Sequence, residues 1–107
     1  MALDIHVASS IKKAEVKRRE MAVDEALHEL IFTKYSSIAQ NLKQLSRISD
    51  YYGDASFNGA DVKVLEAELR SLASSVSEQP LHSLLSEFAD VCVRAAANDE
   101  NVYLFGD

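Results

Sequence analysis

Leu3-Asp4-Ile5-His6-Val7 is the stretch that decides the fold class. Apolar residues at 3, 5 and 7 alternate with polar ones at 4 and 6, the period-two pattern of a strand with one buried face, so residues 2–8 are expected to be extended. Val102-Tyr103-Leu104-Phe105 is a second run of strand-forming residues, ended by Gly106. Between them the dominant periodicity is helical. The two terminal runs therefore separate an α+β domain from an all-helical one. Backbone groups of a strand need partners, which predicts a small antiparallel sheet built from an N-terminal hairpin and the C-terminal strand.

Moving inward from the first strand, residues 9–23 fit two templates. Ile11, Ala14, Arg18 and Met21 suit a helical face, whereas Ala14, Val16 and Arg18 suit a strand. Ser9-Ser10 followed by Lys12-Lys13 makes a plausible hairpin connection, and the need of the first strand for a partner favours residues 14–22 as the second strand. From Asp24 the pattern turns helical: Ala26, Leu27, Leu30 and Ile31 recur at three and four residues behind an N-cap Asp24. Thr33 to Ser37 interrupts the helix, and Ile38, Leu42, Leu45 and Ile48 predict another over residues 38–48. Residues 49–59, with two of the three glycines, read as the longest loop.

The second half carries the strongest periodicity. Asp61 is the expected cap of a helix with Val62, Leu65, Leu69, Leu72 and Val76 on one face and Lys63, Glu66, Glu68 and Arg70 on the other. Ser74 to Gln79 breaks that pattern, and Pro80 suits the first turn of a further helix, where its missing N–H has no intrahelical partner. Leu81, Leu84, Leu85, Phe88, Val91, Cys92 and Ala95 form its apolar stripe. These two stripes are wide for so small a chain. Exposed members would favour self-association, so a homodimer through the helical half is expected.

At 107 residues and 48% hydrophobic content the chain, residues 1–107, is one domain with one modest core. No apolar run approaches the roughly 18 to 20 residues of a membrane-spanning helix, and the first residues lack a signal-peptide layout, so no membrane partner is expected and a cytoplasmic location is the default. The net charge of −6 is unevenly spread. Residues 1–47 hold eight basic against six acidic residues, a balance of +2, while residues 48–107 hold three against eleven, a balance of −8. Such an acidic half repels phosphate backbones and attracts basic proteins, chiefly by raising association rates.

Few residues offer chemistry. The glycines at 53, 59 and 106 are too scattered for a phosphate loop, and no serine stands in a nucleophile elbow. Leu27-His28-Glu29-Leu30 lacks the second histidine of a zinc helix, since Phe32 and Thr33 stand where it would fall. Cys92 lies on an apolar face, where a thiol is a small hydrophobe with a raised pKa. Lys12, Lys13, Lys17, Arg18 and Arg19 are interleaved with Glu15 and Glu20 and hold no aromatic residue that could stack on bases, so nucleic acid is not an expected partner. No metal, cofactor or catalytic residue is assigned.

Two clusters stand out: Asp50, Tyr51, Tyr52 and Asp54, and the terminal Phe105-Gly106-Asp107. Tyrosines beside carboxylates combine flat apolar area with polar tips, which suits a patch facing Lys or Arg of a partner protein, and equally allows a tyrosine to plug the loop onto the core. The expected binding residues are Asp50, Tyr51, Tyr52, Asp54 and Asp107. Together with Leu3-Asp4-Ile5-His6-Val7, Ala26-Leu27-His28-Glu29, Ile31-Phe32, Phe57-Asn58 and Tyr103-Leu104, these segments resemble a group of small bacterial proteins, some of them immunity-like proteins that neutralise a toxin from a neighbouring cell. The resemblance implies a non-catalytic binding role, and with the acidic balance it makes a basic toxin the expected partner. The alternative is a small enzyme or metal-binding domain that uses His28, Glu29, Asp50 and Asp54 as acid, base or ligands.

Overall fold

A computed structural model describes residues 3–106. Four antiparallel strands, β1 (Leu3–Ala8), β2 (Met21–Val23), β3 (Ala55–Phe57) and β4 (Asn101–Phe105), form one sheet in the order β2-β1-β4-β3. The helix-dominated α+β class is as expected, and the strands near the two ends of the chain lie side by side at its centre. Ile5 pairs with both Met21 and Leu104, and Val102 pairs with both Val7 and Phe57. This register puts Leu3, Ile5, Val7, Met21, Val23, Phe57, Val102 and Leu104 on one face, and all are buried in a single core.

Helices α4 (Gly59–Ala73) and α5 (Gln79–Ala97) close that core. Val62, Leu65, Leu69 and Leu72 of α4 meet Leu81, Leu85, Phe88, Val91, Cys92 and Ala95 of α5, and all of them are buried within one chain. Leu84 is partly buried against the same core. The stripes are therefore ordinary core, and the reason for expecting a homodimer through the helical half falls away. Pro80 stands in the first turn of α5 as expected. The helix ends in a Schellman motif with Asp99 in the left-handed position at φ 54°, where Glu100 N–H donates to Ala95 O at 2.8 Å and Asp99 N–H to Ala96 O at 3.2 Å.

Several boundaries differ from the sequence-based expectation. Residues 14–22 are not one strand: Ile11–Val16 form a helix, α1, capped by Ser10, and only Met21–Val23 pair with β1. This division lets Ala14 pack with Ala8 and Tyr103 on the far face of the sheet, which an extended segment could not cover. Asp24 does cap α2 (Glu25–Phe32), accepting from Ala26 N–H at 2.9 Å and Leu27 N–H at 3.3 Å. Residues 38–48 are not a helix. A short α3 (Ser36–Ala39) and a 3₁₀ turn (Leu45–Ile48) flank a break where Gln44 and Leu45 N–H groups donate to the Glu68 carboxylate of α4, at 3.0 and 2.8 Å. The segment 49–59 contains β3, and α4 begins two residues before Asp61. Gly59 opens it at φ 49°, a left-handed conformation that glycine adopts without strain, while Asp61 sits in the first turn rather than capping.

The link between α4 and α5 is tied to the middle of the chain. Tyr35 Oη donates to Glu78 Oε1 at 2.6 Å, and Lys34 pairs with Glu78 Oε2 at 2.7 Å. The hydrogen bonds from Lys34 and then Tyr35 lower the Glu78 carboxyl to a pKa of about 2.

Candidate functional site

The α2 segment and the turn after the 3₁₀ helix build one surface together. On α2, His28 and Ile31 face the core, while Glu25 and Glu29, one helical turn apart, stay exposed on the outside. The turn is closed by Asp50, whose carboxylate accepts Tyr52 N–H at 3.0 Å and whose carbonyl accepts Gly53 N–H at 3.1 Å. That geometry sends the adjacent tyrosines opposite ways. Tyr51 is 7% exposed, donates its hydroxyl to Val23 O on the edge strand at 3.0 Å and meets the His28 ring edge-on at 5.0 Å. Tyr52 is 51% exposed and donates to Glu25 Oε2 at 2.8 Å. The hydrogen bond to the Glu25 carboxylate raises the Tyr52 phenol above its ordinary value of 10.0, because ionisation would place two negative charges together.

The two clusters picked out in the sequence meet here. Gly106 N–H donates to Asp54 Oδ1 at 3.0 Å. A Cβ on Gly106 would lie 2.5 Å from the Tyr52 carbonyl carbon and 2.7 Å from the carbonyl oxygens of Tyr51 and Gly53, so only glycine lets the terminal strand pack against the turn. Of the five expected binding residues, Tyr51 is buried against the core, Asp50 and Asp54 hold backbone amides while remaining exposed, Tyr52 is exposed with its hydroxyl bonded to Glu25, and Asp107 lies outside the described residues.

An open groove of about 490 Å³ runs between α2 and the turn, lined by Glu25, Ala26, His28, Glu29, Phe32, Thr33, Ser49 and Tyr51. His28 lies at its floor, 5% exposed, with Nε2 2.7 Å from Ile48 O and its ring 4.9 Å from that of Phe32. Asp50 and Asp54 line a different cavity of about 110 Å³ with Arg47 and Gly53. The four residues of the enzymatic alternative are thus divided between two cavities. Among the described residues no three His, Cys, Asp or Glu side chains are grouped to hold a metal ion. Cys92 is buried, and burial pushes its thiol up to about 12, so it is not a thiolate at neutral pH.

The carboxylates of this surface stand outside the ion pairs, as do Glu15, Glu68, Glu87, Asp99 and Glu100 elsewhere among the described residues. Among the described residues, the ion pairs use Asp4, Glu20, Asp61, Glu66, Glu78 and Asp90. None involves Asp24, Glu25, Glu29, Asp50 or Asp54, which are all the acidic residues between positions 24 and 54. The cations of that stretch that do pair, Lys34 and Arg47, reach Glu78 and Asp61 instead. On the opposite flank the basic run is partly spent, with Lys17 Nζ donating to Val7 O at 2.7 Å and Arg19 paired with Asp4 at 2.8 Å.

Sequence reasoning missed Glu25 and the groove. Glu25 and Glu29 at four-residue spacing on an otherwise apolar helix were the available signal, but the aromatic wall opposite them depends on a turn that folds back from residues 49–52. Among the described residues no helix is long and apolar enough to cross a membrane. No family model, curated protein or solved structure matches the chain.

Proposed function

We propose that this domain is a non-catalytic interaction module whose acidic face, formed by α2 and the Asp50–Asp54 turn, binds a basic protein in the manner of an immunity-like inhibitor of a toxin. The absence of ion pairs at Asp24, Glu25, Glu29, Asp50 and Asp54 among the described residues carries the proposal. Five carboxylates left together repel one another, and a Lys- or Arg-rich partner relieves that repulsion on docking. Their field acts over about 8 Å at physiological ionic strength, enough to steer an approaching basic surface. Tyr52, half exposed and fixed by its bond to Glu25, supplies a rigid aromatic contact at the centre of the face.

The test is to co-express the chain with the product of the adjoining reading frame in its native genome and titrate the purified pair. Binding should weaken as salt is raised, and Asp50→Lys should weaken it by about tenfold or more, as expected for reversing a charge within such a face. Binding that is indifferent to salt and to both Asp50→Lys and Glu25→Lys would overturn the proposal, as would the lack of any complex.

A further inference from the structure

The hydrogen-bonding inventory of the groove against α2 points to one kind of occupant. Three hydroxyl donors in and beside it are already engaged: Tyr51 donates to Val23 O, Tyr52 to Glu25, and Thr33 Oγ1 to Glu29 O at 2.7 Å. His28 adds an acceptor. Its Nε2 lies 2.7 Å from a backbone carbonyl, which can only accept, so Nε2 carries a proton, and in the tautomer this bond selects Nδ1 holds a lone pair. Among the described residues Nδ1 has no hydrogen-bond partner, and His28, a residue 5% exposed, lines the groove. The groove therefore offers the carboxylates of Glu25 and Glu29 and the lone pair of Nδ1, with Ser49 able to donate or accept and the rings of Phe32 and Tyr51 as flat walls.

We infer that this groove receives a single arginine side chain of the basic partner; the inference rests on the binding role proposed above and assigns its recognition element. An anion is repelled by the two carboxylates, and a neutral apolar group would strip water from three acceptors without replacing the bonds. A cation rich in donors satisfies them. Arginine fits better than lysine because a planar guanidinium presents five N–H groups in a fork that can reach acceptors spread over a helical turn while its face lies on an aromatic ring, whereas an ammonium is a compact point charge with three donors.

The experiment titrates the ¹⁵N-labelled full chain with acetyl-Gly-Arg-Gly-amide and with acetyl-Gly-Lys-Gly-amide, following backbone amides of residues 25–33 and 49–52 and the His28 ring nitrogens. The arginine peptide should move these resonances, including Nδ1, and bind about three- to tenfold tighter than the lysine peptide. Glu29→Gln, an exposed change on α2, should weaken the arginine peptide and narrow that ratio. Equal binding of the two peptides, or shifts confined to residues outside the groove, overturns the arginine assignment while leaving the acidic face as a basic-protein site. Failure of both peptides alongside intact binding of the whole partner also overturns only the groove assignment, and failure of the whole partner overturns the proposed function itself.

Discussion

The α4–α5 hairpin and the segment from Asp24 to Asp54 rest on the same core, but they spend their charges differently. On the hairpin, Arg70 lies between Glu66 and Asp90 and bonds to both, and Arg94 reaches Glu20 across the sheet edge. In the segment 24–54 the carboxylates have no cation among the described residues, and the polar side chains hold turn amides and one another instead. Exposed ion pairs contribute little to stability, so the difference does not explain why the fold holds together. It bears on the proposed function: Asp61, Glu66, Glu78 and Asp90 of the hairpin are held in ion pairs, while the five carboxylates of the segment are left for the basic partner proposed above.

If that division is correct, the largest effects of substitution on stability belong to the hairpin. Leu69 of α4 is fully buried in the core. Leu69→Ala should destabilise the fold by about 2 to 5 kcal/mol, the transfer loss plus the cavity left behind, read as the shift in urea midpoint. Its effect on partner binding measured below the unfolding transition should be negligible. A variant that loses affinity while still fully folded would break the separation between scaffold and site.

The next effect lies at the seam between the two regions. Gly106→Ala introduces a Cβ against the backbone of residues 51–53, where flexible side chains cannot move aside to admit it. The expected cost is about 1 to 3 kcal/mol, typical of overpacking, again from denaturant midpoints. Unlike Leu69→Ala, it should also displace Tyr52 and weaken partner binding in the folded protein. An unchanged midpoint would mean that the terminal strand does not hold the turn.

The same contrast governs how much could be read from the sequence. The hairpin was legible because its signal is local: the stripe through Leu65, Leu69 and Leu72 and the Pro80 start each lie within one element. The strands at residues 3–7 and 102–105 were legible by alternation and continuity, and Asp24 by its capping position. Residues 38–48 misled because Leu42, Leu45 and Ile48 have helical spacing, yet the backbone there bonds to Glu68, more than twenty positions away and assigned by periodicity to the solvent face. Three residues, Ala55 to Phe57, are too few to announce β3, which exists because β4 offers an edge. At the site, the residue types were visible but not their fates. That Tyr51 is buried and Tyr52 exposed follows from a hydroxyl meeting Val23 O and a turn pinned by Asp50, both consequences of tertiary contact.

The smallest effect sharpens the picture of the site without touching the scaffold. Tyr52 and Glu25 form a side-chain bond that joins the turn to α2 beside the groove. Because the folded phenol titrates above 10.0, its contribution is fully present below the unfolded pKa and is lost as the pH rises through the folded value. At neutral pH the bond is intact, and the acidic face is coupled to the turn under ordinary conditions. Glu25→Gln removes the carboxylate that disfavours phenolate while keeping an acceptor oxygen, so the Tyr52 pKa should fall back towards its ordinary value with little change in stability. Alkaline titration of absorbance at 295 nm, with Tyr52→Phe used to subtract the other three tyrosines, reads this directly. A Tyr52 titration identical in the native chain and in Glu25→Gln would mean that this bond is open in solution, and Tyr52 would then meet a partner as a mobile side chain rather than as a fixed anchor.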